Sequence, residues 1–146
     1  MKRTLKLVTI LSICLICVLS LCSCGEGIDS EKAKETADNF LQAISIADYD
    51  TAETYLHPEY DVDLEEFFGK FEKENNVNLK SGITITGTTG YTSSFSIIFI
   101  ENPINSSKYK LSASGKADDK NILIELEVYE DGKGMGVSFL DIDVEH

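Results

Sequence analysis

Two periods of apolar residues divide the chain. Between residues 29 and 75 apolar positions recur every three or four residues, and from Ile83 they recur every two. Ala33, Ala37, Phe40, Leu41 and Ile44 fall at i, i+4, i+7, i+8 and i+11, which is one face of a helix. Asp29 or Ser30 can cap that helix, and Glu31 suits the positive end of its dipole. Ala47-Asp48-Tyr49-Asp50 breaks the pattern. Asp50 followed by Glu53 predicts a capping pair for a second, shorter helix carrying Ala52, Tyr55 and Leu56. Pro58 closes it, because a proline pushes the preceding residue out of the helical region. Asp63 with Glu66 repeats the capping pattern, and Leu64, Phe67, Phe68 and Phe71 form the face of a third helix. Asn75-Asn76 and Gly82 mark its exit.

The period of two predicts five strands. They are carried by Ile83–Ile85, by Phe95, Ile97 and Phe99, by Tyr109, Leu111 and Ala113, by Ile122, Ile124, Leu126 and Val128, and by the closing segment. Asp131-Gly132 after Glu130 predicts a hairpin turn. In the closing segment Val137 and Phe139 share one phase, and Leu140, Ile142 and Val144 share the other. That change of phase predicts a bulge near Phe139 or Leu140. Helices followed by strands indicate an α+β domain rather than alternating βαβ units. The expected architecture is N-terminal helices on a curved, mostly antiparallel sheet of about five strands.

The first 24 residues read differently. Lys2, Arg3 and Lys6 precede an apolar run of 15 residues, Leu7 to Leu21. A membrane-spanning helix needs about 20 apolar residues, so basic start and short run match a secretory signal. The competing reading is an uncleaved membrane helix. Leu21-Cys22-Ser23-Cys24 resembles the bacterial lipobox, with Leu at minus three and a small residue before the cysteine. The resemblance implies a diacylglyceryl group on Cys24 and cleavage before it. The expected organisation is a lipoprotein signal peptide at 1–23, a short tether at 24–28 and one domain at 29–146. Extracytoplasmic localisation follows, on the bacterial cell membrane, held by lipid.

That organisation changes the reading of the cysteines. Cys14, Cys17 and Cys22 would leave with the signal and Cys24 would be lipidated, leaving no thiol for a disulfide, a zinc site or a nucleophile. The signal carries three basic residues and no acidic one, so the 123 residues from Cys24 hold 10 basic against 25 acidic side chains. A net charge near −15 excludes a nucleic-acid partner, whose phosphates require a basic footprint. It also argues against the domain adhering to anionic lipid.

Phe40-Leu41-Gln42-Ala43-Ile44, Asp48-Tyr49-Asp50-Thr51-Ala52 and Tyr55-Leu56-His57-Pro58-Glu59 resemble the opening of the nuclear-transport-factor-two-like, or cystatin-like, superfamily. Tyr109–Gly115, Asn121–Glu130 and the Gly132-Lys133-Gly134 turn are also similar. The likeness covers most of residues 29–146 and is to small bacterial lipoproteins with a domain of unknown function. It departs where the family often opens its closing strand with a tryptophan; Gly134-Met135 stands there, and the chain has no Trp. The resemblance implies a cone-like sheet, a pocket between sheet and helices, and homodimers as a common state.

Tyr55, Tyr60, Tyr91 and Tyr129 are the candidates to line such a pocket; the alternative is packing as core and rim aromatics. No catalytic motif of the superfamily matches, so no catalytic residue is carried over. His57, before Pro58, reads as a helix-end residue near the helix dipole. Asp61–Glu66 fails as a calcium loop because Glu66 occupies the position that needs glycine. Asp141, Asp143 and Glu145 share one face at period two, relieved by solvent or by a weakly bound cation. No cofactor and no metal site is expected. The first functional expectation is a non-catalytic binding or interaction module for an envelope protein or small-molecule ligand. A pocket enzyme, isomerase- or hydrolase-like, and an accessory subunit of an envelope complex are the alternatives.

Overall fold

The computed structural model describes residues 27–98 and 103–145. Among these residues three helices precede a four-stranded antiparallel sheet. The helices are α1 (Ser30–Ser45), α2 (Tyr49–Glu53) and α3 (Leu64–Asn75). The strands are β1 (Thr84–Ile98), β2 (Pro103–Ala117), β3 (Lys120–Asp131) and β4 (Gly134–Val144), ordered β1-β2-β3-β4 as a meander. Cys24, the Leu7–Leu21 run, Phe99 and His146 lie outside the described residues. No helix among the described residues is long and apolar enough to cross a membrane.

The helix caps are local chemistry. Asp29 Oδ1 accepts from the Glu31 and Lys32 N–H groups, and Asp63 Oδ1 accepts from Glu66 N–H at 2.8 Å. These carboxylates satisfy donors that the first turn leaves without a partner. The second helix departs from expectation. Its cap is Asp48, which accepts from Thr51 N–H at 3.1 Å, and the helix ends at Glu53. Tyr55 and Leu56 are therefore not helical. Their backbone is drawn to the edge of β4, where Leu56 forms a parallel bridge with Val137. His57 N–H donates to Val137 O at 2.8 Å, and Val137 N–H donates to Tyr55 O at 2.9 Å.

The apolar face of α1 buries Ala33, Ala37, Phe40, Leu41 and Ile44, and this helix touches all four strands. The sheet answers with Leu111 and Ala113 on β2, Ile122, Ile124, Leu126 and Val128 on β3, and Val137, Leu140 and Ile142 on β4. From α3, Leu64, Phe68 and Phe71 close the layer. Ile28, read as the end of the tether, is buried in the same core.

Among the described residues four strands, not five, form the sheet, because the first two expected strands are one. β1 runs unbroken from Thr84 through Gly87 and Gly90 to Ile98, with a register shift only between Ile85 and Gly87. Gly90 sits where the ring of Tyr109 crosses from β2; a Cβ there would overlap the Tyr109 hydroxyl. It marks a close approach, not a strand end. The predicted bulge is present. Glu127 faces Phe139 and Val128 faces Val137, so Ser138 is the extra residue on β4.

Candidate functional site

The four tyrosines do not converge. Tyr55 and Tyr60 are half-buried against the core. Tyr129 packs its ring on His57, centroids 5.5 Å apart and tilted by 49°. Tyr91, 57 % exposed, lies on β1 away from them. The space expected to form a pocket between sheet and helices is occupied. Phe40 and Phe68 are fully buried there, Phe67 meets Phe68 edge-on at 5.2 Å, and Tyr49 stacks on Phe68 at 5.0 Å. Burial pushes the Tyr49 hydroxyl up to about 12, with the Glu72 and Glu65 charges adding to it.

His57 is where the structure differs most from the sequence reading. It does not sit at a helix end; it is 3 % exposed and bound to the β3–β4 hairpin. Its Nδ1 accepts from Glu59 N–H at 3.2 Å, which assigns the proton to Nε2. Nε2 in turn donates to Asp131 Oδ1 at 3.2 Å. The Lys133 N–H also donates to Asp131 Oδ1, at 2.7 Å. That backbone bond, followed by the His57 bond, holds the Asp131 carboxyl below its usual range against a partial loss of hydration. Lys133 and Glu59 pair outside this core. Gly136 allows the approach, since a Cβ there would lie 2.4 Å from His57 N. Both ring nitrogens of His57 are engaged, so the imidazole joins the segment after α2 to the hairpin and has no free lone pair to act as a base. The one local signal was Pro58, which favours extended backbone at His57. Nothing near it names Asp131.

The open face of the sheet presents a second arrangement. Tyr91, Lys110, Glu127 and Phe139 stand opposite one another across all four strands. Lys108 and Lys110 hold the Glu127 carboxylate at 2.7 and 2.5 Å. Burial pushes the pKa of Glu127 up, but hydrogen bonds from Lys108 and Lys110 more than offset it and leave the group below its ordinary value. Tyr91 and Phe139, 43 % exposed, flank this charged centre. The groove between them is about 100 Å³ and is bordered also by Ser112 and Glu125. Ligand pockets usually enclose about 300–1,000 Å³, so this surface suits contact with a macromolecule better than enclosure of a metabolite. A larger concavity, about 520 Å³, runs along α3 beside Asp63, Glu65, Glu66, Gly69, Lys70 and Lys73. It is an open concavity on the outer side of one helix, lined by charged side chains and Gly69.

Among the described residues, no group of three or more His, Cys, Asp or Glu side chains is arranged to hold a metal ion. Asp141 and Asp143 are exposed on β4. Comparisons with protein-family models, with curated proteins and with solved structures found no match.

Proposed function

We propose that this chain is a lipid-anchored, extracytoplasmic interaction module that acts by binding and not by catalysis. Its anchor is a diacylglyceryl group on Cys24, and its contact surface is the open sheet face around Tyr91 and Phe139. One observation carries the reading. The interior that would hold a substrate is filled by Phe40 and Phe68, while two aromatic rings are left outside, flanking a paired charge. Exposed aromatics around a neutralised polar centre are the composition of protein interfaces. The order of elements, three helices and then an antiparallel meander, supports a nuclear-transport-factor-two-like or cystatin-like fold.

The test is photo-crosslinking in cells from position 139, with position 73 on the outer side of α3 as comparison. A discrete adduct from 139 and none from 73 is expected, with an envelope protein or a second copy of the chain. No adduct from 139, or turnover of an envelope metabolite by the purified protein, overturns the reading. Cys24→Ala should move the protein from the membrane fraction to the soluble fraction. If it stays membrane-bound after a high-salt wash, the uncleaved helix replaces the lipid anchor.

A further inference from the structure

We infer that two copies of the chain pair through the outer edge of β1, antiparallel about a twofold axis, joining two four-stranded sheets into one. The pairing uses the edge of the sheet, not its open face, and stands independently of the sheet-face reading. β1 is the first strand of the sheet and has β2 on one side only. Its other side presents backbone N–H and C=O groups, a ready template for a further strand. Among the described residues no strand or isolated bridge pairs there. The end of α1 reaches only the residue before the strand, where Ile83 N–H donates to Ser45 O at 2.8 Å. From Thr86 to Tyr91 every residue is exposed.

The two edges of the sheet differ. β4, the opposite edge, is guarded. Val137 bonds His57 and Tyr55 through both of its backbone groups, and Asp141 and Asp143 stand exposed further along the strand. Covering segments and charged side chains are devices that keep an edge from pairing with a second chain. β1 lacks both from Gly87 onward. Its 15 residues include no charged residue, and proline is absent as well. Its register shift lies at the start, between Ile85 and Gly87. From Gly87 to Ile98 the pairing with β2 is regular, which leaves a continuous edge of about 40 Å. A long unguarded edge invites open-ended association. A twofold pair consumes it. Once β1 meets its copy, the outermost strands are the two copies of β4, both guarded, so assembly closes at two.

The charges permit a second copy at this edge. About a twofold axis a residue of β1 meets one near its own position in the copy, so a charge on the strand would oppose its like. β1 has none, and neither β1 nor β2 carries an acidic residue. Across the sheet from Thr89 the order is Ser112, Glu125, Asp141. The first carboxylate in that row therefore lies two strand spacings from β1, about 10 Å. On the helix side the Tyr109 hydroxyl lies against Gly90 and senses Lys34 and Asp38, which form an ion pair with each other. A chain of formal charge −12 can thus approach its copy here. Thr88 and Thr89, both exposed, suit the threonine pairs that stabilise facing strands. Edge pairing buries less than the roughly 1,200 Å² of a standard interface, so the pair dissociates on dilution.

The full chain, purified in detergent, is followed by sedimentation across a range of concentrations and by hydrogen exchange at both ends of that range. We expect a monomer–dimer equilibrium, with amides in 84–91 exchanging roughly tenfold more slowly in the dimer. Thr88→Lys, at an exposed position, installs the missing guard and should weaken the dimer roughly tenfold. Phe139→Ala should leave it unchanged, and high salt should strengthen it by screening the acidic excess. Exchange in the unaltered chain decides the matter if Thr88→Lys does not fold. A chain that stays monomeric overturns the pairing, and so does a species of more than two copies. A dimer that survives Thr88→Lys also overturns it; if Phe139→Ala abolishes that dimer, the open faces pack together and the sheet-face reading gains. Slow exchange over 84–91 in a monomer overturns it in favour of an occupant from the same chain. Weakening at high salt overturns it too, since lysine–carboxylate contacts would then hold the copies.

Discussion

Gly136 and Gly87 both lie in strands, yet a methyl group would have different consequences at the two. At Gly136 it would meet His57 N and the carbonyl carbon of Leu56 at under 3 Å, and both are backbone. At Gly87 it meets nothing within 4 Å. Gly136→Ala should therefore cost about 1–3 kcal/mol, by forcing the 55–57 segment off β4, while Gly87→Ala stays within about 0.5 kcal/mol. Urea unfolding of the two variants measures both. Asp131→Ala should lower the unfolding midpoint as well, since it leaves the buried His57 Nε2–H without its acceptor. Tyr49 makes a prediction at high pH. An unfolded tyrosine ionises near 10, while folded Tyr49 is pushed up to about 12 by burial. Its contribution is complete below pH 10 and is lost as pH rises toward 12. An ultraviolet titration should show one phenol ionising last, with stability falling across the same window.

Helix α2 shows how a cap is chosen. Asp48 and Asp50 are both acidic and two residues apart, and the spacing of Asp50 to Glu53 favoured the latter. The structure selects Asp48, because the chain leaves α1 at Ile46 and its backbone turns there. Asp48 N–H donates to Ala43 O, and Asp48 Oδ1 then faces Thr51 N–H. Asp48→Ala should cost about 1 kcal/mol, the usual value of an N-cap, and Asp50→Ala much less than that. Thermal unfolding of the pair distinguishes them. Strand β1 teaches the complementary lesson. It carries glycines in its interior because β1 is an edge strand, where pairing with one neighbour suffices, and Gly90 makes room for Tyr109.

The domain as a unit is acidic, with a formal charge of −12 over the full chain, and its response to acid follows from particular carboxylates. Asp131 is held low first by the Lys133 N–H, and Asp29 first by the Lys32 N–H. In Glu127 the lysine bonds outweigh burial. Each folded-state value lies below the unfolded one, so each contribution is present above the ordinary carboxylate range and is lost as pH falls through the folded values. Stability should decline below about pH 4.5. Glu127→Gln should reduce the steepness of that decline, as read from urea midpoints across pH.

The helices at Ser30–Ser45 and Leu64–Asn75, the cap at Asp63, the Asp131-Gly132 turn and a bulge close to Phe139 were legible along the chain. Each depends on backbone geometry and hydrogen bonds within a few residues, and periodicity reports such geometry directly. The number of strands was misread, because the apolar alternation lapses between Ile85 and Phe95, although the backbone stays in one strand there. The candidate site was hardly legible. His57 meets Asp131 across 74 residues, Ile28 meets Ser107 across 79, and Tyr91 shares a face with Phe139 through two intervening strands. Strand order and register decide these meetings, and no local pattern encodes either. The same reason separates the four candidate tyrosines and brings Ile28 at the start of the domain to Ser107 on β2.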